Sequence, residues 1–434
     1  MNARKPESKN MWRLHVENFG RIKRADIDIA PMLIFVGPNN TGKSYLTTLL
    51  WGLLELRTSI FPLEPPSIPD YVLCRDLWIS HCQNKEEWLS EEIVEALIRF
   101  YNVVIDEKKD EVLEKIFTFS GMRIGKITVN LIRNGPIKRD MPAVLPEESA
   151  TDYENKIYRQ LRRLINILLF DGRNKPLYLP ASRTGFIISY KALTKELMES
   201  WGLEKSAKSD FPLPIIRFLQ ALIEVDIRKD RQLDISFNSE CHSIAQCMEK
   251  EILEGEISQH PDPIPSFYYQ AEKINHPLPL HVTSSLVSEL SPLIIFLKAK
   301  TDIGTPLIFE EPESHLHLKA QRILAKYLVK LINHGMPIWL TTHSDTFFQQ
   351  VNNLIASNEY RKGKLKELGY SEDEMIAPDD IRAYQFNVQH ETGMTEVVPL
   401  KRTEAGFAAP TFNYEILSLS KESMDLESDE DDAD

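Results

Sequence analysis

The sequence predicts an α/β fold with a mixed, mainly parallel core sheet, an antiparallel β-lobe and a helical insert. Three observations carry that expectation. The stretch Phe35–Leu50, FVGPNNTGKSYLTTLL, joins an apolar strand to a helix-periodic segment through a glycine-flanked loop. The C-terminal half runs SLVSELSPLIIFLKA, TPLIFEE, HLKAQRILAKYLVKLIN and MPIWLTTHS, an alternation of helix and strand periods that marks parallel α/β units. The opening WRLHVENFGRIKRADIDIA alternates apolar and polar residues around Phe19-Gly20, the period of partly exposed strands.

Taken in chain order, those two strands lead into MLIFVG, a continuous apolar run that reads as a buried strand. KSYLTTLLWGLLEL has helical periodicity, and charged helical sequence follows from about Lys85 to Lys115. GKITVNLIRNGPIKRDM alternates about an Asn-Gly pair, the sign of a β-hairpin. Tyr153–Phe170 is a basic amphipathic helix, and PLYLPASRTG a short strand ending in a loop. Residues 189–252 form the helical insert, broken by DFPLP. Strand-like SFYYQ and LPLHV precede the alternating C-terminal half, and IRAYQFNV with TEVVPLKR makes a final hairpin around His390–Gly393. The expected organisation is an N-terminal lobe over 1–188, the insert, a C-terminal lobe over 253–415, and a disordered acidic tail over 416–434.

A chain of 434 residues that is 42% hydrophobic and 26% charged is neither disordered nor fibrous. Its start lacks the apolar core of a signal peptide, and no run reaches the ~18 apolar residues of a membrane span, so a cytoplasmic protein is expected, with no membrane partner. Cys74, Cys82, Cys241 and Cys247 form no CxxC pair and suit reduced, buried thiols. Residues 425–434 hold seven acids and no base, more than half of the net charge of −13. Such a segment is either a solvating tail or a decoy or docking segment for a basic partner.

The chemistry sits at two places. Gly37-Pro38-Asn39-Asn40-Thr41-Gly42-Lys43-Ser44, followed by Tyr45, satisfies G-x-x-x-x-G-K-[ST] between a strand and a helix. The glycines let backbone N–H groups close around phosphates, Lys43 reaches the β and γ oxygens, and Ser44 offers a hydroxyl to Mg²⁺. The segment PLIFEEPESHLH ends an apolar strand in Glu310 and Glu311, at the sheet edge where the loop also lies. There Glu310 can hold the Mg²⁺ shell and Glu311 can orient an attacking water. One strand further, WLTTHSD puts His343 at a strand tip, as a γ-phosphate or water ligand or as a structural histidine.

The order ENFGRIKRADIDI, GPNNTGKS, YLPASRTG, SSLVSEL, EEPESHLH and TTHSD resembles the ABC-class P-loop ATPase heads of the RecF, structural-maintenance-of-chromosomes (SMC) and OLD type, over nearly the whole chain. That resemblance implies ATP as ligand and a homodimer or higher homo-oligomer, with each ATP held between the phosphate loop of one head and a signature segment of another. Ser284 and Ser285 would then touch the partner's γ-phosphate; read without the resemblance, they cap the following helix. Arg183, in PASR, either contacts phosphate or the partner head, or forms a structural ion pair.

Two positions depart from the pattern. Glu310 stands where many members carry Asp, a methylene shorter, and Leu286 where the signature often has glycine, so the trans contact would rest on serine hydroxyls. About 90 residues follow His343, too few for the Toprim nuclease domain of OLD proteins, and the short, proline-broken insert is no coiled-coil arm. The resemblance therefore implies an ATP-driven switch that acts on a separate effector, a nuclease or toxin, as in ATPase subunits of anti-phage systems. The alternative is a RecF-like DNA-binding ATPase of repair, with Arg159, Arg162, Arg163, Arg173 and Lys175 as a DNA contact, unless these form a solvated helix face.

Overall fold

The computed structural model describes residues 11–133, 150–170, 174–203, 211–227, 239–260, 262, 264–299, 304–404, 406–409 and 417–426. The N-terminal part runs β1 (Met11–Phe19), β2 (Ile22–Asp28), β3 (Met32–Val36), α1 (Lys43–Leu56), α2 (Pro69–Gln83), α3 (Glu91–Phe117), β4 (Ile124–Arg133) and α4 (Ala150–Phe170). It continues through β5 (Leu177–Leu179), α5 (Arg183–Leu203), α6 (Leu213–Glu224), α7 (Ser239–Met248), β6 (Gly255–His260), β7 (Ser266–Ala271) and β8 (Leu278–Pro279). The C-terminal part is α8 (Ser285–Lys298), β9 (Leu307–Glu310), α9 (Leu318–Asn333), β10 (Ile338–Thr342), α10 (Asp345–Leu354), α11 (Glu359–Glu367), β11 (Ile381–Val388) and β12 (Thr395–Pro399).

One nine-stranded sheet organises these elements, in the order β4-β1-β2-β12-β11-β3-β10-β9-β5. β3, β5, β9, β10 and β11 run parallel, whereas β4, β1 and β2 form the antiparallel lobe. The buried strands obey a period of two with apolar residues on both faces, as a sheet covered on both sides requires. Leu33, Phe35, Ile308, Trp339, Tyr384 and Phe386 pack with α1, α3 and α4. Met32, Ile34, Val36, Leu307, Phe309, Ile338 and Leu340 pack with α5 to α10.

This layering positions the site. Parallel strands deliver their C-terminal ends to one edge: Val36 lies beside Thr342, and Glu310 beside Thr341. Leu179 pairs with Phe309, which brings the turn after β5 to the same edge.

Several expectations are adjusted. The first strand of the expected 125–141 hairpin is β4, which pairs antiparallel with β1; the Asn134-Gly135 turn lies outside the described residues. PASRTG is not a loop throughout, because α5 starts at Arg183 and runs through the 188/189 boundary. LPLHV is strand only at Leu278-Pro279; Pro279 has no N–H for a ladder, and a 3₁₀ turn at Leu280–Val282 follows. Within the tail expected to lack structure, residues 417–426 are helical with every residue exposed, the state that Leu, Lys, Glu and Met favour locally. Residues 427–434, with most of the acids, lie outside the described residues.

Cys74 and Cys241 are buried, Cys82 half-buried and Cys247 exposed, none of them in a disulfide, which corrects the expectation of four buried thiols. Among the described residues no helix is long and apolar enough to cross a membrane, and no His/Cys/Asp/Glu cluster suits a metal. The basic face of α4 is partly committed: Arg162 donates to the Thr58 carbonyl and lies over Phe61 and Tyr158, and Lys175 pairs with Glu55. Arg173 lies outside the described residues.

Candidate functional site

The loop expected to bind phosphate spans β3 to α1. Gly37, Asn40 and Gly42 have φ of 147°, 61° and 99°, left-handed turns that bend the loop back on itself. A Cβ at Gly37 would come 2.9 Å from the Phe386 carbonyl oxygen, and one at Gly42 2.9 Å from Ile22 Cγ1. Thr41 Oγ1 donates to Pro38 O at 2.9 Å, and Arg21, from the β1–β2 turn, donates to Asn40 O at 2.9 Å. Lys43 Nζ arches over the loop to Gly37 O at 2.8 Å and Pro38 O at 2.6 Å. Burial draws the Lys43 ammonium down to about 8, against the attraction of Glu311, Glu313 and Glu310. Pro38, Asn39, Asn40, Ser44 and Tyr45 are exposed, and the Tyr45 ring meets Phe117 edge-on at 5.8 Å.

Across the sheet edge, Glu310 ends β9 almost fully buried. Its carboxylate accepts from Thr47 Oγ1 at 3.3 Å and from the Ala181 N–H at 3.4 Å, and also bonds Ser44 and Tyr178. Burial pushes Glu310 above the usual carboxylate range, with Ser44 and Tyr178 the leading opposing contacts. Its neighbour has the opposite environment. Glu311 is half-exposed, its Oε1 lies 3.3 Å from His343 Nε2, and Ser314 Oγ donates to its Oε2 at 3.3 Å. The His343 hydrogen bond is the largest influence holding the Glu311 carboxyl below its ordinary value. The Glu311 backbone is left-handed, with φ of 44°, and its N–H donates to Thr341 O at 3.1 Å.

Glu313 stitches this turn to the strand that carries His343. Its Oε1 accepts from Thr342 Oγ1 at 2.8 Å, the His343 N–H at 2.6 Å and the Ser344 N–H at 3.1 Å. Its Oε2 is buried without a hydrogen-bond partner among the described residues, and burial raises its pKa. Arg183 is fully buried, in an ion pair with Glu289 at 2.8 Å, and its remaining N–H groups meet backbone carbonyls. Of the two expected readings of Arg183, the geometry favours the structural ion pair over a phosphate or partner-head contact, because the guanidinium is fully buried. Ser284 and Ser285 are exposed at the N-terminus of α8, and neither side chain caps it.

The edge thus gathers Lys43, Ser44, Glu310, Glu311 and His343 and leaves Ser284 and Ser285 on the surface. Arg21, Thr47, Tyr178, Glu313 and Thr341 join the site without having been singled out. A signal for two of them was available: Tyr178 alternates with Leu177 and Leu179, which sends it to the α1 face, and Glu313 is an acid inside an otherwise committed turn.

The residues fit a nucleoside triphosphate with a divalent cation. The loop has no room for a Cβ at Gly37 or Gly42, and a serine hydroxyl bonded to a carboxylate is the hard oxygen pair that Mg²⁺ takes. Ser44 and Glu310 would hold the ion; Lys43 and the loop N–H groups would meet the phosphates.

A family model described as an AAA ATPase domain matches residues 11–163 and 190–348. No curated protein matches the chain. Among solved structures it is similar to an SMC head bound to the C-winged helix domain of ScpA, at 11% identity, covering 91% of this chain and 98% of that chain with a TM-score of 0.39. It is similar also to the SMC head domain from Thermotoga maritima, at 11% identity, 91% and 98% coverage and a TM-score of 0.35. A third is the Smc head with an extended coiled coil bound to the C-terminal domain of ScpA, derived from Pyrococcus furiosus, at 10% identity, 94% and 98% coverage and a TM-score of 0.35.

Proposed function

Because this chain belongs to the AAA ATPase domain family, we propose that it binds and hydrolyses ATP between paired heads, and that this cycle holds or releases a separate effector, a nuclease or toxin, in anti-phage defence. One observation carries the catalytic part: Lys43, Ser44 and Glu310 converge on one edge with a Glu311–His343 pair, although 260-odd residues separate loop from acids. The effector and the defence role follow from the resemblance to stand-alone heads of anti-phage systems.

Each residue has a task in that reaction. The loop N–H groups and the N-terminus of α1 receive the phosphates, and Lys43 adds a cation at the β and γ oxygens. Ser44 and Glu310 would hold Mg²⁺, which when bound would supply charge neutralisation. Glu311, kept ionised by His343, accepts a hydrogen bond from the attacking water and turns its lone pair towards phosphorus. Ser284 and Ser285 meet the γ-phosphate held by the other head.

Trans completion provides the test. Lys43→Ala damages the loop and Ser285→Arg damages the signature, so each alone should be inactive. Their heterodimer keeps one site with intact loop and intact signature, and partial ATPase activity should return on mixing. Heterodimers that form without recovering activity at any mixing ratio would overturn the paired-head reading.

A further inference from the structure

Arg183 donates to four backbone carbonyls and pairs with one carboxylate. Nε donates to Glu289 O at 3.0 Å, Nη1 to Pro180 O at 3.1 Å and Glu310 O at 2.8 Å, and Nη2 to Glu311 O at 3.0 Å, while Nη2 also lies 2.8 Å from Glu289 Oε1 as an ion pair. The guanidinium plane also lies 4.7 Å from the Phe309 ring centre. Two of those acceptors are the carbonyls of consecutive residues, Glu310 and Glu311, and the second has a left-handed backbone. A non-glycine residue holds that conformation only where its surroundings over-determine it. Here the Arg183 fork fixes the carbonyls, while Thr341 O and Oγ1 accept from the Glu311 N–H at 3.1 and 3.2 Å.

The other end of the fork is welded to α8. Glu289 is fully buried, one helical turn beyond Ser285, and its second oxygen accepts from Thr184 Oγ1. The fork thus spans from the helix that starts at Ser284-Ser285 to the peptide that aims the Glu311 carboxylate.

We propose that Arg183 is a positioning residue that holds the left-handed turn at Glu311 and ties it to α8, so that the base takes its place only when α8 is seated. A lysine has the charge for Glu289 but not the planar fork that spans two carbonyls. This inference rests on the ATPase reading for its catalytic consequence, and its structural half stands without it.

The experiment uses the full chain as Arg183→Lys, with Thr184→Val as a milder second variant that frees Glu289 on one side. Amide exchange is measured without nucleotide, and ATP affinity and kcat are measured separately. Exchange should quicken in residues 307–316 and stay unchanged in the 37–46 loop. ATP affinity should hold while kcat falls about 10- to 100-fold in Arg183→Lys, the scale for a misplaced reacting group, and less in Thr184→Val. Wild-type kcat in a folded Arg183→Lys, or exchange raised uniformly across the chain in both variants, would overturn the proposal. If wild-type protein does not hydrolyse ATP, the ATPase reading fails, and exchange at 307–316 still decides whether Arg183 holds the turn.

Discussion

The proposed phosphate loop and the acidic turn face each other at one sheet edge, yet they are built by opposite means. Apart from Arg21 and the Ser44–Glu310 bond, the loop's polar contacts are local: Lys43 and Thr41 reach carbonyls three to six residues away. The acidic turn is assembled from distant segments. Glu310 bonds Thr47 across 263 residues and Ala181 across 129, while Glu313 reaches His343 across 30. The loop can therefore keep its shape when the rest of the site is perturbed, whereas the acids depend on the whole edge. Substitutions should divide accordingly, loop changes acting on nucleotide affinity and acidic-turn changes on turnover.

Glu311→Gln is the sharpest way to break that division, and the largest effect is expected there. The amide preserves shape and leaves Ser44 and Glu310 untouched, but it cannot serve as the base. Turnover should fall by about 10² or more, the scale of general-base catalysis, with ATP affinity retained and ATP-bound head pairs accumulating on size exclusion. Wild-type turnover here, with loss in Glu310→Gln or Glu313→Gln, would move the base along the strand.

The same division explains what could be read in the amino-acid order. Gly37 to Ser44 is contiguous, so its spacing alone announces a phosphate loop, and the apolar runs of β3, β9 and β10 announce the sheet. Glu310 and Glu311 were legible as a strand-end pair because side chains there must emerge at the edge. Their opposite environments were not, since those arise from Tyr178, Thr47 and His343, each set by tertiary packing. Arg183 stood in a recognisable PASR, but burial against α8 decides its partner, and no local pattern reports that. The helix at 417–426 was masked by its acidic surroundings, although its own residues are good helix formers.

Glu313→Gln sharpens the comparison from the structural side. Oε1 of the amide can accept the three bonds that the carboxylate accepts now, but the NH₂ falls where Oε2 is enclosed without a partner. An unsatisfied buried donor costs about 1–3 kcal/mol, so the chain should melt earlier by that amount. Turnover should fall less than in Glu311→Gln, because the His343 backbone stays tethered. Unchanged stability would mean that the amide NH₂ finds an acceptor on relaxing, and that the enclosed oxygen is no measure of how tightly this turn is packed.

The smallest effect on turnover is expected in the loop, and a matched pair of glycines isolates it. Gly42 combines φ of 99° with a would-be Cβ 2.9 Å from Ile22 Cγ1, and Ile22 is fully buried in β2 and cannot retreat freely. Gly363, inside α11, has an ordinary backbone conformation and nothing within 4 Å of its would-be Cβ. Gly363→Ala should stabilise the chain by about 0.4–1 kcal/mol through the unfolded state, without touching ATP. Gly42→Ala carries the same unfolded-state gain but meets left-handed strain of about 1–2 kcal/mol and the Ile22 contact, so the strain outweighs the gain and the chain should lose stability. Its signature is functional: the loop N–H groups turn away from the phosphates, and ATP affinity drops while single-turnover hydrolysis of whatever ATP is bound stays near wild type. Thermal melts of both variants with nucleotide titrations and a single-turnover assay check this. A Gly42→Ala protein that binds ATP normally but turns it over slowly would place the loop and the acids in one mechanical unit, and the division between them would fail.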